Sequence, residues 1–418
     1  MKFHEQRRGN FHLIAKPAGP LCNLDCQYCF YTEKEALFPE GTNFRMPDEV
    51  LKTFIREYIR SQKAPEIPFV WQGGEPTLMG SDVYKKVVAL QGKYAGGKKI
   101  HNAIQTNGIL LNEEWCKFLA ENGFLVGLSL DGPPEIHDHF RVKKGGQPTA
   151  KKVLKALRLL QEYDVPYNVL ACVTKQSASR GLEIYRFFKD QGVRYIQFIP
   201  IVERLPDTKA EQLGLRHAVP PVPENDRERT NVSPWTVGAE QYGDFLIEIF
   251  DEWVRKDVGN IHVINFEWAV AAWMGLPSSV CLFSETCGNA GIIEHNGDVY
   301  SCDHYMYPDY KLGNILEESL KRMMMSPKQK KFGLAKKETL PGQCRTCEVK
   351  FACYGECPKH RFLRTEDGEP GLNYLCAGYK KFFHHIHPYM KVIVQLIENG
   401  LPASYVMDAV KGPLIIKK

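Results

Sequence analysis

The sequence GPLCNLDCQYCFY, residues 19–31, places three cysteines within eight positions, directly after an apolar run. They are Cys22, Cys26 and Cys29, in the spacing CxxxCxxC. Thiolates at such short spacing wrap one metal centre, and three of them leave one position open for a ligand from outside the protein. An iron–sulfur cluster held in this way has one iron free to bind a substrate. A zinc knuckle that lacks one ligand and a set of buried structural cysteines are the other interpretations of the spacing alone.

Composition limits the class of protein. The chain has 418 residues, 44% of them hydrophobic, and carries a formal charge of +5 with no concentrated Lys/Arg stripe, which gives no support for nucleic-acid binding. Its N-terminus has no apolar signal region, and no apolar run reaches the roughly 18 residues that a membrane helix needs. We therefore expect a cytoplasmic protein without a membrane segment. In a reducing compartment thirteen cysteines, an odd number, indicate metal ligation rather than disulfides.

The first half of the chain alternates short apolar runs with amphipathic ones. The apolar runs, predicted as strands, are residues 11–17, 67–72, 100–106, 124–130, 165–173 and 193–200. The helical patterns are residues 47–62, 81–94, 112–122, 149–163 and 179–191. This alternation predicts an α/β fold, a parallel six-stranded sheet curled into an open barrel of the TIM kind, with functional loops at the carboxyl ends of the strands. The three cysteines lie in the loop after the first strand.

The second half is organised differently. Residues 202–235 are rich in proline and charge, which indicates a linker or a long functional loop. Two helical patterns follow, at 238–256 and 265–275, and eight cysteines then lie between Cys281 and Cys376. We predict four parts: a barrel with its following loop at 1–235, a helical connector at 236–280, a cysteine-rich domain at 281–380 and a helical tail at 381–418.

The cysteine loop, with Tyr28 before its last cysteine, resembles the signature of the radical S-adenosylmethionine (radical SAM) family. The run WQGGEPTL, residues 71–78, follows the second predicted strand and resembles that family's GGEP motif. The resemblance implies a 4Fe–4S cluster on the three cysteines. Its open iron would bind the amino and carboxylate groups of S-adenosylmethionine, and one electron would split that molecule to a 5'-deoxyadenosyl radical.

The same resemblance implies which residues contact S-adenosylmethionine. They are Tyr28, Gly73, Gly74, Glu75, Ser129, Arg141 and Val202. The glycines would let the backbone approach the methionine amino group. Ser129 would contact the ribose or carboxylate, Arg141 the methionine carboxylate, and Val202 the adenine. Taken alone, a serine at a strand end often caps the chain, and an arginine is ordinarily a solvated surface residue.

The later cysteines resemble the SPASM domain. Nine residues separate Cys287 from Gly297, four more lead to Cys302, and CRTCEVKFACYGEC (344–357) follows. With Cys281 and Cys376 there are eight thiolates, enough for two fully ligated 4Fe–4S clusters. By resemblance, one auxiliary cluster would be held by Cys281, Cys287, Cys302 and Cys357, and the other by Cys344, Cys347, Cys353 and Cys376. Two zinc sites of four cysteines each are the alternative. Cys116 and Cys172 remain and are interpreted as small core residues.

Three stretches resemble one subfamily, the anaerobic sulfatase-maturating enzymes, with an agreeing layout over nearly the whole chain. They are QGGEPTL (72–78), CDHYMYP (302–308) and residues 357–383. The resemblance implies that a Cys or Ser in a sulfatase, within a C/S-x-P/A-x-R signature, is oxidised to formylglycine after the radical abstracts a Cβ hydrogen. It implies that Asp303 is the base and that Tyr31 and Gln72 hold the peptide backbone.

The same resemblance implies the cofactors and the partners. The cofactors are three 4Fe–4S clusters and S-adenosylmethionine. The partners are an unfolded or nascent sulfatase and a reductant such as flavodoxin or ferredoxin, and the enzyme is expected to be a monomer.

Two alternatives from other classes stay open. A SPASM enzyme that makes a thioether or another crosslink in a ribosomal peptide would share every cluster ligand, although it would usually carry an additional N-terminal peptide-binding domain, whereas the barrel here begins near Phe11. An electron carrier or a metal-storage module would need only the later cysteines, and would leave GGEP, Ser129 and Arg141 unexplained.

Overall fold

Six parallel strands, in chain order, form the centre of one sheet. The computed structural model describes residues 11–222 and 231–410. The strands are β1 His12–Lys16, β2 Glu66–Trp71, β3 Lys99–Thr106, β4 Leu125–Ser129, β5 Tyr167–Val173 and β6 Tyr195–Pro200. Each is paired in parallel with the next, which confirms the predicted barrel strands and their order.

Helices connect these strands, as expected for parallel neighbours. They are α1 Asp48–Ser61, α2 Ser81–Tyr94, α3 Glu113–Glu121, α4 Pro134–Phe140, α5 Ala150–Glu162 and α6 Gly181–Asp190. In α1 the buried side chains recur every three or four residues, from Val50 through Phe54 to Tyr58, so one face of the helix packs on the sheet. Five of the six helices match predicted patterns. The short α4, which starts at a proline, was not predicted.

The sheet extends beyond the six predicted strands. Four more strands join it: β7 His262–Val263, β8 Ala290–Glu294, β9 Asp298–Tyr300 and β10 Lys311–Asn314. Strand β7 pairs with β6 at one edge, β8 pairs in parallel with β1 at the other, and β9 and β10 continue antiparallel from β8. These strands have two to five residues each, too short for a period to be recognised in the sequence. The cysteine-rich segment therefore continues the barrel sheet.

The remaining elements are mostly helical. They are α7 Thr208–Gln212, α8 Ala239–Lys256, α9 Ile264–Trp273, α10 Leu320–Met324, α11 Pro327–Glu338, α12 Gly342–Arg345, α13 Lys350–Cys353, the strand pair β11 Leu363–Arg364 and β12 Pro370–Leu372, α14 Cys376–Glu398 and α15 Val406–Ala409. Helices α8 and α9 match predicted patterns. Helix α14 spans the predicted boundary at residue 381, and the domain boundaries stay predictions; residues 411–418 of the predicted tail lie outside the described residues. No helix in 11–222 or 231–410 is long and apolar enough to cross a membrane.

Helices α8 and α14 touch through backbone at a pair of glycines. A Cβ atom built on Gly378 would lie 1.9 Å from the carbonyl oxygen of Ala239, and one on Gly243 would lie 2.7 Å from that of Gly378. Such a contact admits no methyl group without separating the helices.

We expect Gly378→Ala to cost about 1–3 kcal/mol of unfolding free energy, because the helices must move apart. Gly92→Ala is the matched control, since Gly92 lies in α2 with no atom within 4 Å of the added methyl, and it should leave stability unchanged or raise it by about 0.5–1 kcal/mol. Anaerobic denaturant unfolding followed by circular dichroism measures both variants. Equal stabilities would contradict the close helix contact.

Candidate functional site

The three cysteines of the first loop lie together after β1. The loop packs its Leu24 and Tyr28 against Phe140 and Ile201, with all three thiols at the edge of this group. Burial raises the pKa of the Cys22 thiol to about 12, and the neighbouring Glu75 and Cys29 add to that rise. Thiols in this state are protonated and must give up their protons to bind a metal. The donor set is the one a cluster with three protein ligands requires.

The glycines after β2 let the backbone pack against the cysteine loop. The Gly74 amide donates to the carbonyl of Gly19 (2.8 Å) and the Glu75 amide to that of Leu21 (2.8 Å). A Cβ on Gly74 would lie 2.1 Å from the Leu21 oxygen, and one on Gly73, where φ is +145°, would lie 2.9 Å from the Gly19 oxygen. Both glycines are therefore needed by the protein itself, whatever they offer to a cofactor.

The Glu75 carboxylate is wholly buried and joins the ends of β2 and β3. It accepts hydrogen bonds from Thr77 N (2.9 Å), Thr77 Oγ1 (2.6 Å), Thr106 Oγ1 (2.8 Å) and Asn107 N (2.8 Å). Burial raises its pKa, although these hydrogen bonds act in the opposite direction. With four donors already present, Glu75 braces the two loops that approach Cys22.

Arg141 is buried in a polar network beside the cysteine loop. Its Nε donates to Asp131 (2.8 Å), which also accepts from the Tyr28 hydroxyl (2.7 Å), and its guanidinium lies 5.6 Å from the centre of the Tyr28 ring. Cys172, interpreted from the sequence only as a core residue, also belongs here, since its Sγ accepts from Arg141 Nη2 (3.4 Å). Asp131 was not predicted as a site residue, although it directly follows the apolar run of residues 124–130.

Three further predicted residues lie at the carboxyl ends of barrel strands. Ser129 ends β4 and accepts from Gln105 Nε2 (3.1 Å). Val202 is buried just after β6. The Gln72 amide donates to the carbonyl of Ala15 (2.9 Å) and its side chain is half-buried. The structure thus gathers the predicted cofactor residues along one rim of the barrel.

Four of the later cysteines converge beside the barrel. Burial raises the pKa of the Cys357 thiol, and Glu356 together with the thiols of Cys302, Cys287 and Cys281 raises it further. These are the four cysteines that the SPASM resemblance groups together. His304 approaches the same group, with Nδ1 3.5 Å from Cys357 Sγ.

The other four form a separate group. Burial raises the pKa of Cys353 to about 12, with the thiols of Cys376 and Cys344 among the charges that add to the rise, and Cys347 similarly raises the pKa of Cys376. Within 11–222 and 231–410, no three Cys, His, Asp or Glu side chains are close enough together to hold one metal ion. Eight thiols in two groups of four are a donor set that fits two 4Fe–4S clusters.

Asp303 follows Cys302 directly and pairs with a lysine of the barrel. The Nζ of Lys16, at the end of β1, lies 2.5 Å from Asp303 Oδ1, and the Lys16 side chain is 1% exposed. Burial raises the pKa of Asp303, but Lys16, His304 and Lys359 together lower it by more, so the pKa is below its ordinary value. Asp303 is therefore a carboxylate at neutral pH. Lys16 was not predicted as a site residue. A lysine inside an apolar strand is nevertheless expected to have an acidic partner in the protein interior.

Tyr31 stands on the same side of the barrel. Its hydroxyl donates to Glu294 at the end of β8, and Lys16 Nζ lies 4.2 Å from the centre of its ring. Tyr31, Lys16 and Asp303 therefore form one connected group between the cysteine loop and the first set of later cysteines.

The loop between β6 and α8, residues 201–238, is tied to the barrel rather than extended as a linker. Residues 201–205 and 231–237 bond to each other through Leu205 N to Asn231 O (2.8 Å) and Ser233 N to Glu203 O (2.8 Å). Farther along, Glu33 accepts from the backbone amides of Arg216 and His217. Residues 223–230 of the predicted loop lie outside the described residues.

Comparison with protein families gives two matches. The Radical SAM superfamily matches residues 17–188, and SPASM, an iron–sulfur cluster-binding domain, matches residues 284–348. The two matched segments contain the first cysteine loop and four of the eight later cysteines.

Relatives match along nearly the whole chain. A serine-type anaerobic sulfatase-maturating enzyme of Bacteroides thetaiotaomicron is 46% identical over 96% of this chain and 95% of its own. A cysteine-type enzyme of Clostridium perfringens is 33% identical over 90% of this chain and 96% of its own. The solved structure of anSMEcpe with bound AdoMet and Cp18Cys peptide is similar with a TM-score of 0.79, at 32% identity over 92% of this chain and 99% of that one.

We expect Lys16→Met to cost about 3–5 kcal/mol of unfolding free energy at pH 7, because it leaves the Asp303 carboxylate buried without a partner. Adding Asp303→Asn should recover most of the loss, since no charge then remains. The deficit of the single variant should be smaller at pH 5 than at pH 7: without Lys16, burial raises the pKa of Asp303, and the folded state takes up a proton as the pH falls. Anaerobic denaturant unfolding measures the three proteins. Equal deficits in the single and double variants would contradict the ion pair.

Proposed function

This chain belongs to the anaerobic sulfatase-maturating enzymes of the radical SAM superfamily, and from this premise we propose that its target residue is a serine. The enzyme is an oxygen-independent oxidoreductase that converts a Cys or Ser in the C/S-x-P/A-x-R signature of a sulfatase to formylglycine. It uses 4Fe–4S clusters and S-adenosylmethionine. What remains to be proposed is which residues do this work and which of the two target residues is preferred.

The serine preference is supported by the relatives. The serine-type relative is 46% identical over 400 residues, whereas the cysteine-type relative is 33% identical over 383 residues. We propose an unfolded or nascent sulfatase as the substrate protein.

The cluster ligands follow the three groups of thiols. Cys22, Cys26 and Cys29 hold the cluster that binds S-adenosylmethionine, and the later cysteines hold two auxiliary clusters. The first auxiliary set is Cys281, Cys287, Cys302 and Cys357, and the second is Cys344, Cys347, Cys353 and Cys376. When bound, the first cluster and S-adenosylmethionine supply the 5'-deoxyadenosyl radical that removes a hydrogen atom from Cβ of the target, and the auxiliary clusters accept an electron.

Around the first cluster the protein supplies position and charge. Arg141, held by Asp131, would face the methionine carboxylate, and Ser129 the ribose or carboxylate. Tyr28, Gly73, Gly74 and Glu75 shape the wall of this site, and Val202 would lie beside the adenine. Gln72 and Tyr31 would hold the backbone of the target peptide.

One observation supports the assignment of Asp303 as the base more than any other. Lys16 of the first barrel strand holds this carboxylate, which directly follows a cysteine of the first auxiliary set. Loss of the Cβ hydrogen leaves a thiol or hydroxyl whose proton must go to an acceptor, and a carboxylate held ionised between the two clusters can take it. Lys16 keeps Asp303 ionised and fixes its direction.

Two further aspects complete the proposal. The electron for the first cluster would come from a flavodoxin or ferredoxin, and the enzyme would act as a monomer. We place it in the cytoplasm, where the substrate polypeptide is made and thiols stay reduced.

The alternative function is that of a maturase that crosslinks a ribosomal peptide, which would share the cluster ligands. The Streptococcus suis protein SuiB is 14% identical, with a TM-score of 0.58, and shares the fold alone.

Anaerobically reconstituted protein should contain about twelve irons, three clusters of four. Replacing Cys22, Cys26 and Cys29 together with Ala should reduce this to about eight and abolish formation of 5'-deoxyadenosine, because only the first cluster has an open iron. Iron analysis and chromatography measure the two quantities. Replacing Cys116 with Ala is the control, which should keep all twelve irons. Stoichiometric zinc with only four irons would contradict the auxiliary clusters.

The wild-type enzyme should convert a serine sulfatase peptide to formylglycine with a higher kcat/KM than the matching cysteine peptide.

Asp303→Asn should lower the yield of formylglycine about 10²- to 10⁴-fold, because the proton acceptor is lost. Formation of 5'-deoxyadenosine should continue, since hydrogen abstraction precedes that step. Mass spectrometry of the peptide alongside quantitation of 5'-deoxyadenosine separates the cases. An unchanged aldehyde yield would show that Asp303 is not the base, and loss of both products would make its role structural.

A further inference from the structure

Buried polar atoms without hydrogen-bond partners are concentrated in one part of the molecule. Among the described residues there are eight such side-chain atoms. Six belong to Thr32, Glu33, Lys34, His217, Trp235 and Asp303. The Asp303 oxygen is paired with Lys16, and Glu33 Oε1 is paired with Lys34 Nζ (3.8 Å), which also lies 3.7 Å from the centre of the Tyr307 ring. The atoms of Thr32, His217 and Trp235 remain without a partner. A buried polar atom without a partner costs about 1–3 kcal/mol, so such a concentration indicates groups that are satisfied by something that binds there.

These three atoms lie on two segments that pack together. One is residues 32–34, just after the cysteine loop, and the other is the β6–α8 loop. Glu33 joins them: one of its oxygens accepts from the amides of Arg216 (2.8 Å) and His217 (3.1 Å) and lies 3.0 Å from His217 Nδ1. The His217 and Trp235 rings are 6.0 Å apart.

The hydrogen bond to Glu33 decides what His217 offers. Hydrogen bonds and the charges of His217 and Lys34 hold the pKa of Glu33 below its ordinary value although burial alone would raise it. Glu33 is therefore a carboxylate, which can only accept, so His217 Nδ1 must carry a proton. In neutral His217 the buried Nε2 is then a bare acceptor. Opposite it, the Trp235 indole Nε1 is a donor and nothing else.

This pair of groups lies between the two ends of the proposed active site. Trp235 packs against the group that contains Tyr28, Cys26 and Phe140. At the other end, burial lowers the pKa of Lys34 to about 8. The charge of Asp303 acts to raise this pKa, so Asp303 is close enough to Lys34 to interact with it electrostatically.

We propose that His217 and Trp235 form a subsite that binds the main chain of the target peptide. His217 Nε2 accepts from a peptide N–H, and Trp235 Nε1 donates to a peptide carbonyl. The two rings lie close to each other, with 6.0 Å between their centres, so neighbouring groups of one extended main chain can reach both. Glu33 is the positioning residue, because it fixes the tautomer of His217 and attaches the loop to the barrel. This inference rests on the proposed function, since it takes the sulfatase segment as the ligand.

The donor and acceptor types argue for a peptide over a charged small molecule. A phosphate or carboxylate ligand would face donors only, whereas the atoms without a partner are the donor of Trp235, the acceptor of neutral His217 and the hydroxyl of Thr32, which can do both. A main chain presents N–H and C=O groups in alternation. Ordered water also satisfies mixed groups, and the experiment below is arranged to separate the two.

The test measures peptide binding without turnover. Holoenzyme with S-adenosylmethionine and no reductant is titrated against a fluorescently labelled serine sulfatase peptide, and its anisotropy gives Kd. His217→Asn keeps a donor at the Nδ1 position for Glu33 and removes Nε2, and Trp235→Phe removes the N–H and keeps the ring against Phe140. Each should raise Kd and KM about tenfold, the effect of one buried hydrogen bond, while kcat stays within about twofold.

His385→Gln is the matched control. His385 also bonds a carboxylate through one ring nitrogen, Nε2 to Asp251 (2.9 Å), but lies on the outer helix α14, so Kd should not change. Peptide-independent cleavage of S-adenosylmethionine by His385→Gln should equal that of the wild type.

The outcomes separate this inference from the proposed function. If the wild type fails to oxidise either sulfatase peptide, the proposed function is wrong. If the wild type is active but both variants bind the peptide as tightly as it does, the subsite is wrong and the orphaned atoms bind water. Should His217→Asn not fold, Trp235→Phe alone decides, and its unchanged Kd would equally overturn the subsite.

Discussion

The parallel pairing of β1 with β8 joins the two cysteine-bearing halves of the chain. It runs over five residues, from His12 opposite Ala290 to Lys16 opposite Glu294. Strand β1 leads into the first cysteine loop, and β8 turns through β9 to Cys302 and Asp303. Because the two strands share one register, their following residues meet: Tyr31 bonds Glu294 and Lys16 pairs with Asp303. A slip of the pairing would turn these side chains to opposite faces of the sheet.

A gain in folding stability does not explain why charged side chains are buried near the pairing of β1 with β8. Burying an ion pair such as Lys16 and Asp303, or Arg141 and Asp131, is often no better than apolar side chains of the same size. Natural sequences depart from the rules of a good core mainly where the departure serves a function. Here these buried charged side chains lie between the first cysteine loop and the first auxiliary set. In the proposed mechanism, this is where the radical, the target residue and the proton acceptor have to meet.

The sequence predicts the local parts of this arrangement and misses the contacts between distant parts. All six barrel strands and five of their six helices could be predicted, because each carries its own hydrophobic period. The cysteine groups could be predicted from spacing and resemblance. Tyr31 and Glu294, by contrast, are 263 positions apart and Glu33 and Arg216 are 183 apart, and no local pattern records such a pairing. Lys16 and Asp131 were not predicted for the same reason. Each is a charged residue in or directly after an apolar run, and its partner lies elsewhere in the chain.

The segment that follows Cys29 connects the proposed peptide subsite to the first cysteine loop. Glu33 holds the β6–α8 loop through Arg216 and His217, while Tyr31, two residues earlier, contacts the Lys16 that holds Asp303. Any peptide that orders His217 and Trp235 therefore also stabilises the backbone that begins at the last cysteine of the first cluster. Binding energy from parts of the peptide remote from the reacting Cβ would in this way orient the cofactor site as well as the target residue. An enzyme that generates a reactive radical gains from such a link, because the site is completed only when the residue to be oxidised is in place.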